Sequence, residues 1–422
     1  MIARLKELFG RIGPTVIVAA VVLGPGSILT SSKVGASFGF PAAFVLALST
    51  FLMIGMVALA ARLGVTYERS LCEELAARLG RGASLFVGLV LFMVVALFQS
   101  SNNLAIIAGL EPLSEDLGDG KLLTSFGPKL AVLLAINIFV AFCLFRVRGL
   151  YAQIERLMKI LVLAMVLAFT CNFLVVLFGA DGAETTGGGT NEGGRDLIPL
   201  LGMIGTTFSI GGAFYQAYLV REKGWTLADW RKGLHDSIFG ICVLGIVTSF
   251  ILLTSVLTFY GRPEAVELRS VGDVARQLEP LFGKSAKVIF SLGIMAGALS
   301  SFLVNAVIGG TILSDSLGRG WRLSDAMPRL LTCLALLIGM LVAAMSLGGA
   351  SGTVWLITLA QALTVLGLPM LAAALLYLGT RKDLDGERKV PRWILTICSL
   401  GFVVACVLAV RTTMVVWSKI AE

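Results

Sequence analysis

The chain has 422 residues, of which 57% are hydrophobic and 14% are charged, and its mean hydropathy is +0.91. A soluble protein of this length is not so apolar, so the sequence predicts a polytopic protein of the lipid bilayer. The formal net charge of +8 does not indicate nucleic-acid binding, because the basic residues gather in short loops between apolar segments, where they orient a membrane protein.

Eleven apolar segments are long enough to cross the bilayer as helices, and none shows the alternating pattern of a barrel strand. In chain order the predicted spans are 12–40, 42–63, 84–110, 128–145, 152–178, 197–220, 235–259, 283–314, 328–347, 353–378 and 392–413. The first and sixth contain clusters of glycine and proline, so we expect both helices to be broken.

Basic residues mark alternate loops and therefore predict the orientation. Loops around Arg69, Arg148, Arg231 and Arg388 are basic, whereas the loop around Glu115 is acidic. We therefore expect an integral protein of the cell (inner) membrane. By the positive-inside rule its N-terminus is cytoplasmic, and eleven spans then place its C-terminus on the outside.

Two breaks at membrane depth suggest a solute site. The first is Gly24-Pro25-Gly26-Ser27, and the second contains Gly211-Gly212 in "IGTTFSIGGAFYQAYLV". Unwound backbone is tolerated inside a bilayer only where it lines a cavity or is buried in protein. Because the breaks lie five spans apart, we predict two inverted repeats, residues 1–180 and 195–380, with 392–413 as an additional span.

No enzyme chemistry is indicated. The seven cysteines are scattered without a CxxC pair, and the single histidine, His235, opens the seventh span. The sequence contains no HExxH motif, and its GASFG stretch lies inside the first apolar span rather than at the strand-to-helix turn where a GxSxG serine acts. We therefore expect a non-enzymatic membrane protein that needs no cofactor.

The broken spans resemble those of the Nramp (natural resistance-associated macrophage protein) divalent-metal transporters. "GPGSILTSSKVGASFGF" is similar to the family's "DPGNxATDxQAGAxFGY", and "GTTFSIGGAFYQAYLV" is similar to "GAxVMPHNLYLHSxLV". The tenth-span "LITLAQALTVLGLPM" resembles "LNxLQSxQLPF". The resemblance implies an all-α LeuT-type fold with a 5+5 inverted repeat, about eleven helices, and helices 1 and 6 broken.

The residues that would hold the metal depart from the family pattern. The resemblance places the family's Asp at Gly24, its Asn at Ser27 and its Met at Ser209, and keeps Gln361. We therefore expect the substrate site at Gly24, Ser27, Ser209, Gly211, Gly212 and Gln361. Ser27, Ser209 and Gln361 are the candidate metal ligands, and these neutral oxygens suit a hard ion better than a soft one.

Three further residues are predicted to lie on the permeation pathway: Lys33, Asn103 and Gln216. Asn103 and Ile106 replace the acids of the family's third-span "DLAExxG", and Gln216 replaces its later sixth-span His. Lys33 lies inside the first span, where it either reaches the membrane surface or faces the pathway and favours an anion.

Three functions stay open on the sequence alone. The first is alternating-access transport of a divalent cation, hydrated and Mg²⁺-like rather than Mn²⁺ or Fe²⁺, without proton coupling. The second is transport of a small organic or anionic solute, with Phe208, Phe214 and Tyr215 lining a pocket and Ser300 and Ser301 at a sodium site. The third is a transport-inactive, receptor-like homologue.

Overall fold

A computed structural model describes residues 15–116, 123, 125–146, 160, 167–178, 196–261, 268, 270–347 and 353–421. Within these residues the secondary structure is helical and contains no strand. Nine helices in this part of the chain are long and apolar enough to cross a membrane. The broken helix over residues 15–38 and the shorter apolar helix Leu167–Phe178 lie in the first and fifth predicted spans. Each of the eleven predicted spans is therefore represented by at least one helical segment.

The helices are, in chain order, α1 (Thr15–Val22), α2 (Pro25–Phe38), α3 (Pro41–Thr66), α4 (Leu71–Leu79), α5 (Arg81–Asp116), α6 (Phe126–Arg146), α7 (Leu167–Phe178), α8 (Ile198–Thr207), α9 (Ile210–Glu222), α10 (Trp230–Phe259), α11 (Val271–Ala275), α12 (Glu279–Phe282), α13 (Ala286–Ser316), α14 (Ala326–Ser346), α15 (Thr353–Leu363), α16 (Leu368–Gly379) and α17 (Arg392–Ala421). The first and sixth predicted spans are broken, as expected, into α1–α2 and α8–α9.

The tenth predicted span is interrupted as well, which was not predicted from the sequence. A short 3-10 turn, Thr364–Gly367, joins α15 to α16. Pro369 lies in the first turn of α16, where its missing N–H costs no intrahelical hydrogen bond. Because proline disfavours an uninterrupted α-helix through the preceding turn, the chain tightens there into 3-10 geometry.

Large apolar side chains on the outer faces of the bundle are exposed. Phe44, Phe139, Phe178 and Trp417 are 75%, 63%, 77% and 72% accessible. In water these surfaces would favour aggregation, whereas in a bilayer they contact lipid tails. The exposed faces therefore agree with the membrane environment that the composition predicts.

Close backbone contacts hold the helices together in two groups. In the first, which we call the core group (α1, α2, α3, α8, α9 and α10), α10 packs on α2 and α9 packs on α3. A methyl group on Gly35 would lie 2.5 Å from the Leu252 carbonyl oxygen, and one on Gly64 would lie 2.5 Å from that of Ala217. Only glycine permits helices to approach so closely.

The second group, which we call the frame group, consists of α5, α6, α13 and α14. A methyl group on Gly309 of α13 would lie 2.9 Å from a methyl carbon of Val95 on α5. One on Gly339 of α14 would lie 2.3 Å from Cβ of Gln99, also on α5. Close contacts of this kind resist sliding within a group.

Candidate functional site

The first break separates α1 from α2. Gly24 has extended backbone angles (φ −70°, ψ 178°) and precedes Pro25, the first residue of α2. The Gly24 carbonyl accepts hydrogen bonds from the Ser27 and Ile28 N–H groups at 3.1 and 3.3 Å. A helix leaves its last carbonyls without intrahelical donors. The break therefore brings the carbonyl end of α1 and the N–H end of α2 to one place inside the protein.

The second break repeats this arrangement between α8 and α9. Phe208 and Ser209 are the two residues between the helices, and Ser209 has φ −79° and ψ 83°. The Ile210 N–H donates to the Phe208 carbonyl at 3.0 Å, which closes a tight turn. Ser209 is buried, and so is Thr207 at the end of α8.

Contacts at small residues show that the two breaks and α15 meet. A methyl group on Gly26 would lie 2.3 Å from Nε2 of Gln361, so the glutamine amide packs directly on the first break. One on Gly205 of α8 would lie 2.9 Å from the Gln361 carbonyl oxygen. One on Gly212 would lie 3.2 Å from a methyl carbon of Val18 on α1 and 3.7 Å from Oγ of Ser209.

Three buried side-chain oxygens at this junction have no hydrogen-bond partner: Oγ of Ser27, Oγ1 of Thr207 and Oε1 of Gln361. These residues are 1%, 0% and 1% exposed. Leaving a buried polar atom unsatisfied costs about 1–3 kcal/mol, so oxygens of this kind favour binding of water or a solute. Gln361 uses its amide nitrogen, which donates to Oγ of Ser101 at 2.7 Å.

Ser101 belongs to a polar run on α5. Asn103 is the one member of this run that was predicted to be functional. Gln99, Ser100, Ser101, Asn102 and Asn103 are five consecutive polar residues, and all are buried. An uninterrupted polar run inside an apolar span was the signal that could have found Ser101. Five consecutive residues cover more than one helical turn, so their side chains point in different directions and contact both the frame group and α15.

Asn103 is held in a network of amides. Its Nδ2 donates to the Gln99 carbonyl at 2.8 Å, and its Oδ1 accepts from Nδ2 of Asn137 on α6 at 2.8 Å. Asn102 donates to Oε1 of Gln99 at 3.1 Å. None of these groups titrates near neutral pH, and Ile106, one turn further along α5, is buried and apolar.

Gln216 lies away from the junction, near the start of α1. Its Nε2 donates to Oγ1 of Thr15 at 2.7 Å. The Thr15 hydroxyl and N–H both donate to Oδ2 of Asp236 on α10, at 2.7 and 2.9 Å. Asp236 thus caps α1 and ties it to α10, a role that the sequence does not indicate because this residue lies at the edge of the seventh predicted span, where acids usually face water.

The remaining predicted residues are distributed along the spans. Lys33 lies on α2, is partly exposed and has an interaction partner. Ser301 is buried on α13 and also has a partner, and Ser300 lies beside it in the same helix. A methyl group on Gly211 would lie 3.9 Å from Leu371 and 4.0 Å from Leu91, so this glycine has room around it.

The predicted aromatic lining is not gathered at the junction. Phe208 packs towards Gly401 of α17, where a methyl group would lie 3.0 Å from Cζ of its ring. Phe214 and Tyr215 stack on Tyr218 instead, with ring centroids 6.4 and 6.0 Å apart. The junction is therefore lined mainly by small residues, hydroxyls, one amide and freed backbone.

The charge at the junction comes from backbone rather than from acids. Among the described residues there is no group of three or more His, Cys, Asp or Glu side chains that could hold a metal ion. The carbonyl ends of α1 and α8 each present about half a negative charge, and the N–H ends of α2 and α9 about half a positive one. The site can thus stabilise a cation on one side and an anionic group on the other.

The protein has two paired breaks inside membrane helices, located between packed groups of helices. This arrangement is that of a helical membrane transporter with a LeuT-type fold. The family model for "Natural resistance-associated macrophage protein-like" (Nramp) matches residues 15–415. The chain belongs to the Nramp family.

Relatives of the chain carry the name divalent metal cation transporter MntH. The protein of that name from Mesorhizobium japonicum is 26% identical, over 96% of this chain and 88% of its own length. One from Mycobacterium tuberculosis is 22% identical, over 98% of this chain and 92% of its own length.

Solved structures confirm the fold. A manganese transporter from Eremococcus coleocola superposes with a TM-score of 0.73 at 18% identity, over 96% of this chain and 86% of that one. Mhp1, a nucleobase-cation-symport-1 family transporter, superposes with a TM-score of 0.62 at 12% identity, over 96% of this chain and 90% of that one. The predicted LeuT-type architecture is therefore confirmed.

Proposed function

We propose that the chain is a secondary transporter that moves a divalent cation by alternating access, binding it between the two breaks. The observation behind this proposal is the set of three buried, partnerless oxygens on Ser27, Thr207 and Gln361. Family membership and the metal-transporter names of the relatives support the class of solute.

The chemistry of these oxygens favours a hard, partly hydrated ion such as Mg²⁺ over Mn²⁺ or Fe²⁺. Hydroxyl, amide and carbonyl oxygens are ligands for hard cations, whereas a thioether favours softer metals. Ser209 stands where the family has its methionine, so no thioether is supplied there. Mg²⁺ usually keeps several waters, and each partnerless oxygen is suited to accept a hydrogen bond from such a water.

The absence of an acid limits affinity but does not prevent cation binding. The carbonyl ends of α1 and α8 supply partial negative charge, and a retained hydration shell lowers the cost of entering the protein. We therefore expect weak binding, in the millimolar range, which is about −4 kcal/mol.

We infer that transport is not coupled to protons through the third span. The side-chain amide of Asn103 donates to the backbone carbonyl of Gln99 and accepts from the side-chain amide of Asn137, and none of these groups can release a proton near neutral pH. Ile106 cannot take part at all. Transport then follows the gradient of the cation itself.

Alternating access is supported by the division into the core and frame groups. Relative rotation of these groups would open the junction to one side of the membrane and then to the other. The junction lies between them, because Ser27 and Ser209 belong to the core group and Ser101 belongs to the frame group.

A small anionic or organic solute is the second candidate. The N–H ends of α2 and α9 face the junction, and helix N-termini bind carboxylates and phosphates. Lys33 lies further along α2 and adds positive charge to the same span.

Binding measurements distinguish the two candidates. We expect isothermal titration of the purified protein to show millimolar Mg²⁺ binding that Ser27→Ala weakens about tenfold, the loss of about 1.4 kcal/mol. Ser291→Ala is the matched control, because this hydroxyl on α13 is also buried and partnerless. Equal effects of the two substitutions, or no Mg²⁺ binding at all, would contradict the proposed site.

A further inference from the structure

A buried acid lies at the end of α13, outside the proposed solute site. Asp315 is fully buried, and its Oδ2 accepts a hydrogen bond of 2.6 Å from the Tyr218 hydroxyl. Its other oxygen, Oδ1, has no hydrogen-bond partner. An acid buried in protein at the end of a membrane span is expensive to retain and indicates a function.

The other charged groups nearest to Asp315 do not neutralise it directly. Glu73 and Arg221 are the charged side chains that act on it through space. The Arg221 guanidinium donates instead to the backbone carbonyls of Tyr67, Glu68 and Arg69. Among the described residues, no basic side chain forms a salt bridge with Asp315. The direct stabilisation of this carboxylate therefore comes from two hydroxyl groups, those of Ser70 and Tyr218.

The hydrogen bond joins the two groups of helices. Tyr218 lies on α9 of the core group and Asp315 on α13 of the frame group. The Tyr218 ring is packed on both sides, stacked on Tyr215 and edge-on to Trp321, whose centroid is 5.8 Å away. The hydroxyl is thus held rigidly in place, which strengthens a bond that spans the boundary.

We propose that the Tyr218–Asp315 hydrogen bond is a latch that keeps the predicted cytoplasmic end of the transporter closed and breaks each time that end opens. This inference rests on the proposed alternating-access function. When α9 moves with the core group, the carboxylate loses its donor, and water entering the opened end can then solvate it. The bond is short and shielded from water, so it contributes measurably to the closed state.

Cys72 is a natural reporter for the latch. It lies on α4, is fully buried, and directs its thiol to the Ile312 carbonyl of α13 at 3.8 Å. Burial raises the pKa of the Cys72 thiol, so the reactive thiolate is rare while this end is closed. Tyr218 and Asp315 both lie beside Cys72, so separating them should expose the thiol.

The experiment measures how fast N-ethylmaleimide labels Cys72 in a variant whose six other cysteines are replaced by alanine. Tyr218→Phe keeps the packed ring and removes only the hydroxyl, so we expect labelling about tenfold faster. Asp315→Asn keeps a neutral acceptor, so a smaller increase is expected. The double variant should label no faster than the faster single variant, because both changes break the same bond.

A second single-cysteine variant that retains only Cys398 is the control. Cys398 is also fully buried, but it lies on α17 against Gly55 of α3. Its labelling rate should not change in either latch variant. Unchanged Cys72 labelling, or an equal rise at Cys398 caused by general loosening, would overturn the latch. Labelling requires no transported solute, so its outcome can be interpreted even if the protein does not transport Mg²⁺.

Discussion

At Gly26, within the candidate site, any larger side chain would clash with Gln361. A methyl group there would lie 2.3 Å from Nε2, 2.5 Å from Cδ and 2.8 Å from Cγ of Gln361. Gly26→Ala must therefore displace the glutamine and break its bond to Ser101. Overpacking costs about 1–3 kcal/mol and the lost hydrogen bond about 1 kcal/mol, offset by up to about 1 kcal/mol of helix propensity.

Gly211→Ala is the matched control, because each glycine is the second residue of a helix that follows a break. Its nearest neighbours would lie 3.9 Å away or more, so only the gain in helix propensity remains. We therefore expect Gly26→Ala to be about 2–4 kcal/mol less stable than Gly211→Ala in denaturant unfolding of the detergent-solubilised protein.

A double variant tests whether Gln361 is the cause. Adding Gln361→Ala removes the side chain that the new methyl group strikes, so it should restore part of the stability lost in Gly26→Ala. Equal stabilities for Gly26→Ala and Gly211→Ala, or no rescue by Gln361→Ala, would refute the placement of Gln361 on the first break.

Three other predictions follow from the described contacts. Gly24→Asp with Ser209→Met should raise Mn²⁺ affinity at least about tenfold in calorimetry by adding an acid and a thioether, and an unchanged affinity would contradict the alignment of both breaks. A disulfide between Gly211→Cys and Leu91→Cys should block transport reversibly because it joins the core and frame groups, whereas one between Gly245→Cys and Thr50→Cys, within the core group, should not. Hydrogen bonds from Arg78 lower the pKa of Asp383 in the folded protein. The ion pair therefore stabilises the fold fully above the ordinary carboxyl pKa of about 3.9, and this stabilisation is lost as the pH falls through the lower pKa of the folded state. Asp383→Asn should therefore lower the melting temperature at pH 6, and this effect should shrink as the pH falls below about 3.9. A larger effect in acid would rule out this ion pair as the cause.

The sequence predicted the breaks because glycine and proline act locally on the backbone. The first helix ends and restarts at Gly24-Pro25 as predicted, whereas the second break lies at Phe208 and Ser209, just before Gly211-Gly212, which are in the first turn of α9. The interruption at Thr364–Gly367 was missed because its cause, Pro369, lies within an apolar segment that resembles an ordinary span.

The acids and the polar lining were harder to predict, because depth in the membrane does not specify which neighbour a side chain meets. Asp236 and Asp315 lie near the ends of spans, where acids usually face water, yet here they bind Thr15 and Tyr218 inside the protein. Ser101 meets Gln361 across 260 residues of chain, a pairing that no local pattern can indicate. The location of Lys33 on the permeation pathway stays a prediction.

Mg²⁺ uptake into proteoliposomes, followed with an enclosed Mg²⁺-sensitive dye, tests the central proposal most directly. Uptake should saturate in the millimolar range, fall about tenfold in Ser27→Ala and stay unchanged in Ser291→Ala. It should also proceed without acidification of the lumen, because the amides around Asn103 cannot transfer protons. Vesicles that take up neither Mg²⁺ nor Mn²⁺ at millimolar concentration would contradict divalent-cation transport, and uptake that acidifies the lumen would contradict the absence of proton coupling.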